Sequence, residues 1–209
     1  EGSQDTHIKE SVFISRFIQS ALSFDADLFD RTYNICTKEL GLVAFYKNVL
    51  IATMNKISIL YLNSKITCAN EHFLSEQIRI KIAQEISKEH HSVVNDDTWI
   101  LFLPENEFHD IRLLFTYLLL KKNNRNVIYL GQNTTRESLV QIKNKNKKFL
   151  FFNNTKRTQK FSEQLHSFLN ENLERSIIYV IEKEQLFPKK YSNIISINNL
   201  DNFIALLDS

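Results

Sequence analysis

The stretch Thr98 to Gly131 constrains the fold more than any other, because it reads as strand, polar loop, amphipathic helix and second strand in that order. Trp99, Ile100, Leu101, Phe102 and Leu103 form a continuous apolar run, the pattern of a strand buried on both faces, and Pro104 stops it. The loop Glu105-Asn106-Glu107-Phe108-His109-Asp110 then puts carboxylates and an imidazole just past the strand's carboxyl end. Open α/β sheets bind their ligands there. Ile111, Leu114, Phe115 and Leu118 recur at helical spacing, and Val127-Ile128-Tyr129-Leu130 closes at Gly131 as a second strand. The stretch is the first half of an open parallel sheet with a histidine at its ligand edge.

The residues before it read as helices. Phe13, Ile14, Phe17, Ile18 and Ala21 predict a first helix over about 6–22. Asp25 or Asp27 caps a second, with Leu28, Phe29, Tyr33, Cys36 and Leu40 on one face and Gly41 at its end. A third runs over about 42–62 with Phe45, Val49, Met54, Ile57 and Leu60 inward. Thr67 caps a fourth, faced by Phe73, Leu74, Ile78, Ile82 and Ile86. Four amphipathic helices with short joints predict a bundle over 1–92. The polar, aperiodic residues 89–97 are the expected linker to a second domain over 97–209. There the pattern continues with a short helix over 134–143, a strand at Phe149-Leu150-Phe151-Phe152 and a helix carrying Phe161, Leu165, Phe168 and Leu169. Strands at Ile177–Ile181 and Ile194–Ile197 and a last helix over 200–207 complete it. The expected class is α plus α/β, a four-helix bundle followed by a doubly wound, five-stranded parallel sheet.

Composition narrows the function. An apolar share of 43% argues for a folded core. Twenty-six basic against 24 acidic residues leave a net charge of +2, a poor electrostatic footprint for nucleic acid or anionic lipid. Cys36 and Cys68, the two cysteines, are too few for a disulfide framework and predict a reducing, cytoplasmic compartment, and no apolar stretch of membrane-spanning length occurs. Glycines at phosphate-loop spacing, cysteine pairs at zinc spacing and a glycine-flanked serine nucleophile are all missing, so no enzyme signature emerges.

Two constellations stand out. His109 lies between Glu107 and Asp110, either of which can take its second ring proton, as carboxylates do behind metal-bound histidines. A helix-capping loop with incidental charges is the plain alternative. Glu71-His72 stands near the start of the fourth helix, ten residues or so after Tyr61; a dipole-stabilised carboxylate beside a surface histidine is its plain alternative.

Taken together, a bundle carrying Tyr61 through His72 and a flavodoxin-like domain carrying Glu107-Phe108-His109-Asp110-Ile111-Arg112 resemble the cobalamin-binding region of light-responsive, MerR-type transcriptional regulators of the CarH and LitR kind. A similar module occurs in methionine synthase and corrinoid methyltransferase proteins. The resemblance implies that His109 is the lower cobalt ligand, as in the family's Asp-x-His-x-x-Gly motif, with Glu107 in the aspartate's place. The cofactor would lie between bundle and sheet domain with its nucleotide tail in the latter, Tyr61 standing for the family's Trp and Glu71-His72 for its Glu-His over the upper face. Asn153 and Thr155, after the third strand, take the place of a polar loop that often holds Ser or Thr. Arg112 stands where the family keeps glycine, Leu62 where light-sensing members keep a histidine, and Glu182-Lys183 where the family has Gly-Gly. The implied function is a cobalamin sensor, binding adenosylcobalamin or methylcobalamin, that self-associates and reaches DNA only through an N-terminal domain. A regulator domain that has lost its cofactor and a corrinoid methyl carrier are the alternatives.

Overall fold

The computed structural model describes residues 2–89, 97–143, 146–153, 159–182 and 191–207, which fall in two compact units, Glu1–Lys81 and Ile82–Ser209. The first holds α1 (Gly2–Ser23), α2 (Ala26–Leu40), α3 (Leu42–Ala44), a π-helical segment (Phe45–Leu50), α4 (Ile51–Leu62) and most of α5 (Cys68–Lys88). Of the two candidate caps for α2, Asp25 takes the role, its Oδ1 accepting the Leu28 N–H at 2.8 Å. Gly41 ends the helix at φ +78 with its N–H on the Thr37 carbonyl. At the start of α5 the Asn70 Oδ1 accepts from both the Thr67 N–H (3.0 Å) and its hydroxyl (2.8 Å), one arm of a capping box.

The expected third helix is not uniformly α-helical. Phe45, Tyr46, Val49 and Leu50 are all buried, at separations of one, three, four and five that an α-helical stripe also satisfies, yet Phe45–Leu50 is wound as a π-helix. The π segment inserts this aromatic pair into the core, where Phe45 meets Phe17 (5.8 Å between rings) and Tyr33 (5.2 Å, edge-on). Met54 and Leu60, expected inward, are half-buried. Cys36 is fully buried, and burial pushes its thiol up to about 12, as for a small core residue.

The second unit is a five-stranded, all-parallel sheet in the order β2-β1-β3-β4-β5. Its strands are β1 (Thr98–Pro104), β2 (Asn126–Thr134), β3 (Lys147–Phe152), β4 (Ile177–Ile181) and β5 (Ile194–Ile197). Between them lie α6 (Ile111–Lys122), α7 (Arg136–Val140) and α8 (Gln159–Asn172), and α9 (Leu200–Leu207) follows. This is the flavodoxin-like, Rossmann-type order, whose strand sequence reverses between β1 and β3. Every residue of β1 is buried, as its apolar run requires. One face of the sheet packs Ile100, Phe102, Phe149, Phe151, Ile178 and Val180 against Leu139 of α7 and Leu165 and Leu169 of α8. On β1, Trp99 stacks on Tyr179 and meets Phe203 edge-on.

Several local expectations are corrected. Gly131 does not end β2, which continues to Thr134 because glycine takes φ +77 within a bulged edge strand. That extension delays the start of α7, which spans Arg136–Val140 against the expected 134–143. On α6, Phe115 and Leu118 are buried as their spacing predicts, whereas Ile111 and Leu114 are half-buried and Leu113 is fully buried, so the buried stripe is shifted toward Leu113. The proposed linker lies largely outside the described residues, as does part of the basic run 143–148. Among the described residues, no helix is long and apolar enough to cross a membrane.

Candidate functional site

The loop after β1 is built as a turn. The Glu107 N–H donates to the Pro104 carbonyl (3.0 Å), with Asn106 in the left-handed region at φ +61, where asparagine is tolerated. This turn folds the Glu107 side chain inward until it is 0% exposed, while the His109 side chain stays 77% exposed. One carboxylate oxygen, Oε1, accepts the His109 backbone N–H at 2.9 Å and lies 2.7 Å from the ring Nδ1. An ionised carboxylate can only accept, so in the neutral imidazole that faces it the proton sits on Nδ1 and the lone pair on Nε2. Both donors meet the Oε1 of the buried carboxylate, which fixes the orientation of the ring. Of the two carboxylates flanking His109, Glu107 is thus its Nδ1 partner. Asp110, also buried, starts α6 by accepting the Leu114 N–H on its carbonyl (2.8 Å). Arg112 is half-buried in the first turn of α6.

The opposite side of the strand-order reversal carries a second cluster. The Asn153 N–H donates to the Ile181 carbonyl (3.0 Å) and its Nδ2 approaches Glu182 Oε2 at 3.5 Å. Ser196 Oγ donates to Glu182 Oε1 at 2.8 Å, and the Glu182 N–H to the Ile197 carbonyl at 3.0 Å. Glu182, 3% exposed, therefore joins the ends of β3, β4 and β5. Thr155 lies outside the described residues. Burial of Glu182 left no trace in the pattern, because a single carboxylate after an apolar strand reads as a solvated turn residue.

In the first unit, Tyr61 is 48% and Leu62 79% exposed at the end of α4. Glu71 accepts from Ser75 Oγ at 2.6 Å, and His72 Nε2 lies 3.7 Å from Glu71 Oε2. His72 points outward, 74% exposed against 30% for Glu71, as neighbours on a helix do. The structure therefore joins Glu107 with His109, Asn153 with Glu182, and Glu71 with His72. His166 is an ordinary core histidine of α8, 1% exposed, and desolvation lowers its pKa from 6.5 to about 4. Among the described residues, no group of three or more His, Cys, Asp or Glu gathers in a way that would hold a bare metal ion.

Residues 14–84 match the family model of the B12 binding domain. The match runs from the middle of α1 to near the end of α5, within the helical part. Among solved structures, the Methanosarcina barkeri monomethylamine corrinoid protein aligns at a TM-score of 0.69 and 12% identity, covering 94% of this chain and 95% of its own. That likeness gives the fold, helices followed by a Rossmann-like parallel sheet. The methanol:cobalamin methyltransferase complex MtaBC from M. barkeri aligns at 0.45 and 15% identity, covering 94% of this chain and 78% of that one. A novel cobalamin-binding protein from Desulfitobacterium hafniense DCB-2 aligns at 0.41 and 11%, covering 93% and 97%. No curated protein matches the sequence.

Proposed function

We propose that this chain binds a corrinoid through His109 and acts as a methyl carrier that serves separate methyltransferases. The observation that carries the reading is the pair of an exposed imidazole and a fully buried carboxylate at the carboxyl edge of the sheet. One imidazole is one ligand, which suits a cobalt ion whose macrocycle supplies the equatorial nitrogens. Glu107 fixes the proton on Nδ1, so Nε2 is the donor aimed outward, and Phe108, 54% exposed beside it, offers an apolar surface to a flat ring. Bound there, the corrinoid would supply a cobalt centre that accepts and releases a methyl group. The helical match to the B12 binding domain and the corrinoid-protein fold support the same reading. In it the chain holds the group and a partner protein performs the transfer. Leu62, an exposed aliphatic residue where the light-sensing regulators keep a histidine, also favours carriage over light sensing.

A second reading keeps the MerR-type sensor, with adenosylcobalamin as its ligand, homo-oligomer formation as its output and DNA contact through an N-terminal domain. The Tyr61 to Glu71-His72 spacing favours it. Both readings meet one experiment. The chain is mixed with methylcobalamin or adenosylcobalamin in the dark, desalted and examined by visible spectroscopy beside a His109→Ala variant. A retained spectrum with histidine in place of the nucleotide base, lost in the variant, is expected; no retained corrinoid overturns both and leaves a regulator-like domain without its cofactor. Unchanged size on loading supports the carrier, whereas assembly driven by the corrinoid supports the sensor.

A further inference from the structure

Two asparagines in the left-handed region meet where β1 and β2 end, Asn106 at φ +61 and Asn133 at φ +50. Asn133 Oδ1 accepts the Asn106 N–H at 2.9 Å, and the Asn133 N–H donates to the Glu107 carbonyl at 3.1 Å. One residue of β2 thereby grips the backbone on both sides of the Asn106-Glu107 turn. It gets there through irregular pairing. Leu101 stands opposite Tyr129, Phe102 opposite Gly131 and Pro104 opposite Thr134, so β2 takes two more residues than β1 over the same span. Such bulges re-aim side chains beside functional sites. The left-handed backbone at Asn133 then turns its side chain and its N–H to the same loop.

We infer that Asn133 is a positioning residue: by clamping the turn that carries Glu107, it sets the direction of the His109 imidazole. Its consequence at a cobalt centre rests on the corrinoid reading, while the clamp itself belongs to the ligand-free protein. Outer partners of a metal-bound histidine matter in this way because they fix ring orientation and tautomer before the ligand arrives.

The test uses the full chain and two variants. Asn133→Gly keeps access to the left-handed backbone and removes the Oδ1 acceptor; Asn133→Asp keeps both. A cooperative thermal transition in each variant shows that the fold is intact. In the ligand-free wild type, NMR of the His109 ring is expected to show a downfield, slowly exchanging Nδ1 proton. Asn133→Gly is expected to lose it and Asn133→Asp to retain it. With aquocobalamin as the probe, the affinity of the histidine-coordinated form is expected to fall about tenfold in Asn133→Gly and to recover in Asn133→Asp. An unchanged ring proton and affinity in Asn133→Gly overturns the inference, and so does failure of Asn133→Asp to restore what the glycine loses. If wild type holds no aquocobalamin while the ring proton still depends on Asn133, the corrinoid reading falls and the clamp stands.

Discussion

Glu107 follows β1 and Glu182 follows β4, and both carboxylates are buried at the carboxyl edge of one sheet, 0% and 3% exposed. Glu107 takes its hydrogen bonds from the backbone and ring of His109, a side chain that reaches into solvent. Glu182 takes one from Ser196 on β5 and is approached by Asn153 at the end of β3, groups within the sheet's own edge. Each arrangement offsets the cost of a buried charge. What differs is the element to which the donor belongs. A carboxylate whose donor projects outward orients an exposed side chain; one whose donors lie on neighbouring strands closes a seam.

The largest expected effect probes the foundation common to both carboxylates. Phe102 is fully buried on β1, between Phe149 and Phe151 of β3, and Phe102→Ala is expected to cost about 3–5 kcal/mol in urea unfolding. A cost below about 1 kcal/mol would mean that the β1–β3 centre is loosely packed and that neither carboxylate rests on a rigid base.

Histidines sharpen the comparison, because His166 is buried where His109 is exposed. Its pKa falls from 6.5 to about 4 on folding, since desolvation disfavours the imidazolium. Between those values the unfolded chain binds the extra proton, so stability should drop as pH is lowered from about 6.5 toward 4, by roughly 3 kcal/mol at full extent. Urea unfolding of wild type and His166→Leu across this range checks it; the variant's curve should be flatter by that amount.

The smallest effects separate the carboxylates themselves. Glu107→Ala is expected to weaken corrinoid coordination by about 10–100-fold. Glu182→Ala should cost about 1–3 kcal/mol in stability by leaving the Ser196 hydroxyl without its acceptor, with the His109-dependent spectrum unchanged. Spectral titration and unfolding of both variants decide the matter; equal effects on coordination would erase the distinction.

Much of the fold was legible because strong patterns had simple causes. The run from Trp99 to Leu103 is buried on both faces because β1 lies inside the sheet, and the same logic located β3 and β4. A glycine followed by polar residues looks like a stop, so the pattern alone ends β2 at Gly131, whereas the left-handed glycine and the bulged pairing carry the strand on to Thr134. The π-helical Phe45–Leu50 was hidden because its buried residues also fit a helical stripe read loosely. The pairing of Glu107 with His109 was legible from their spacing just past a strand. Asn133 and Glu182 were not, since their roles depend on pairing register and on strands far away in the chain.

The bulges of β2 also bear on assembly. β2 is an edge of the sheet, and a regular edge offers a row of backbone donors and acceptors onto which another chain's strand can add. The irregular pairing beyond Tyr129 twists that row out of step. The distortion that brings Asn133 to the histidine loop therefore also disfavours strand addition along the far half of this edge, so the same few residues guard against sheet-to-sheet aggregation.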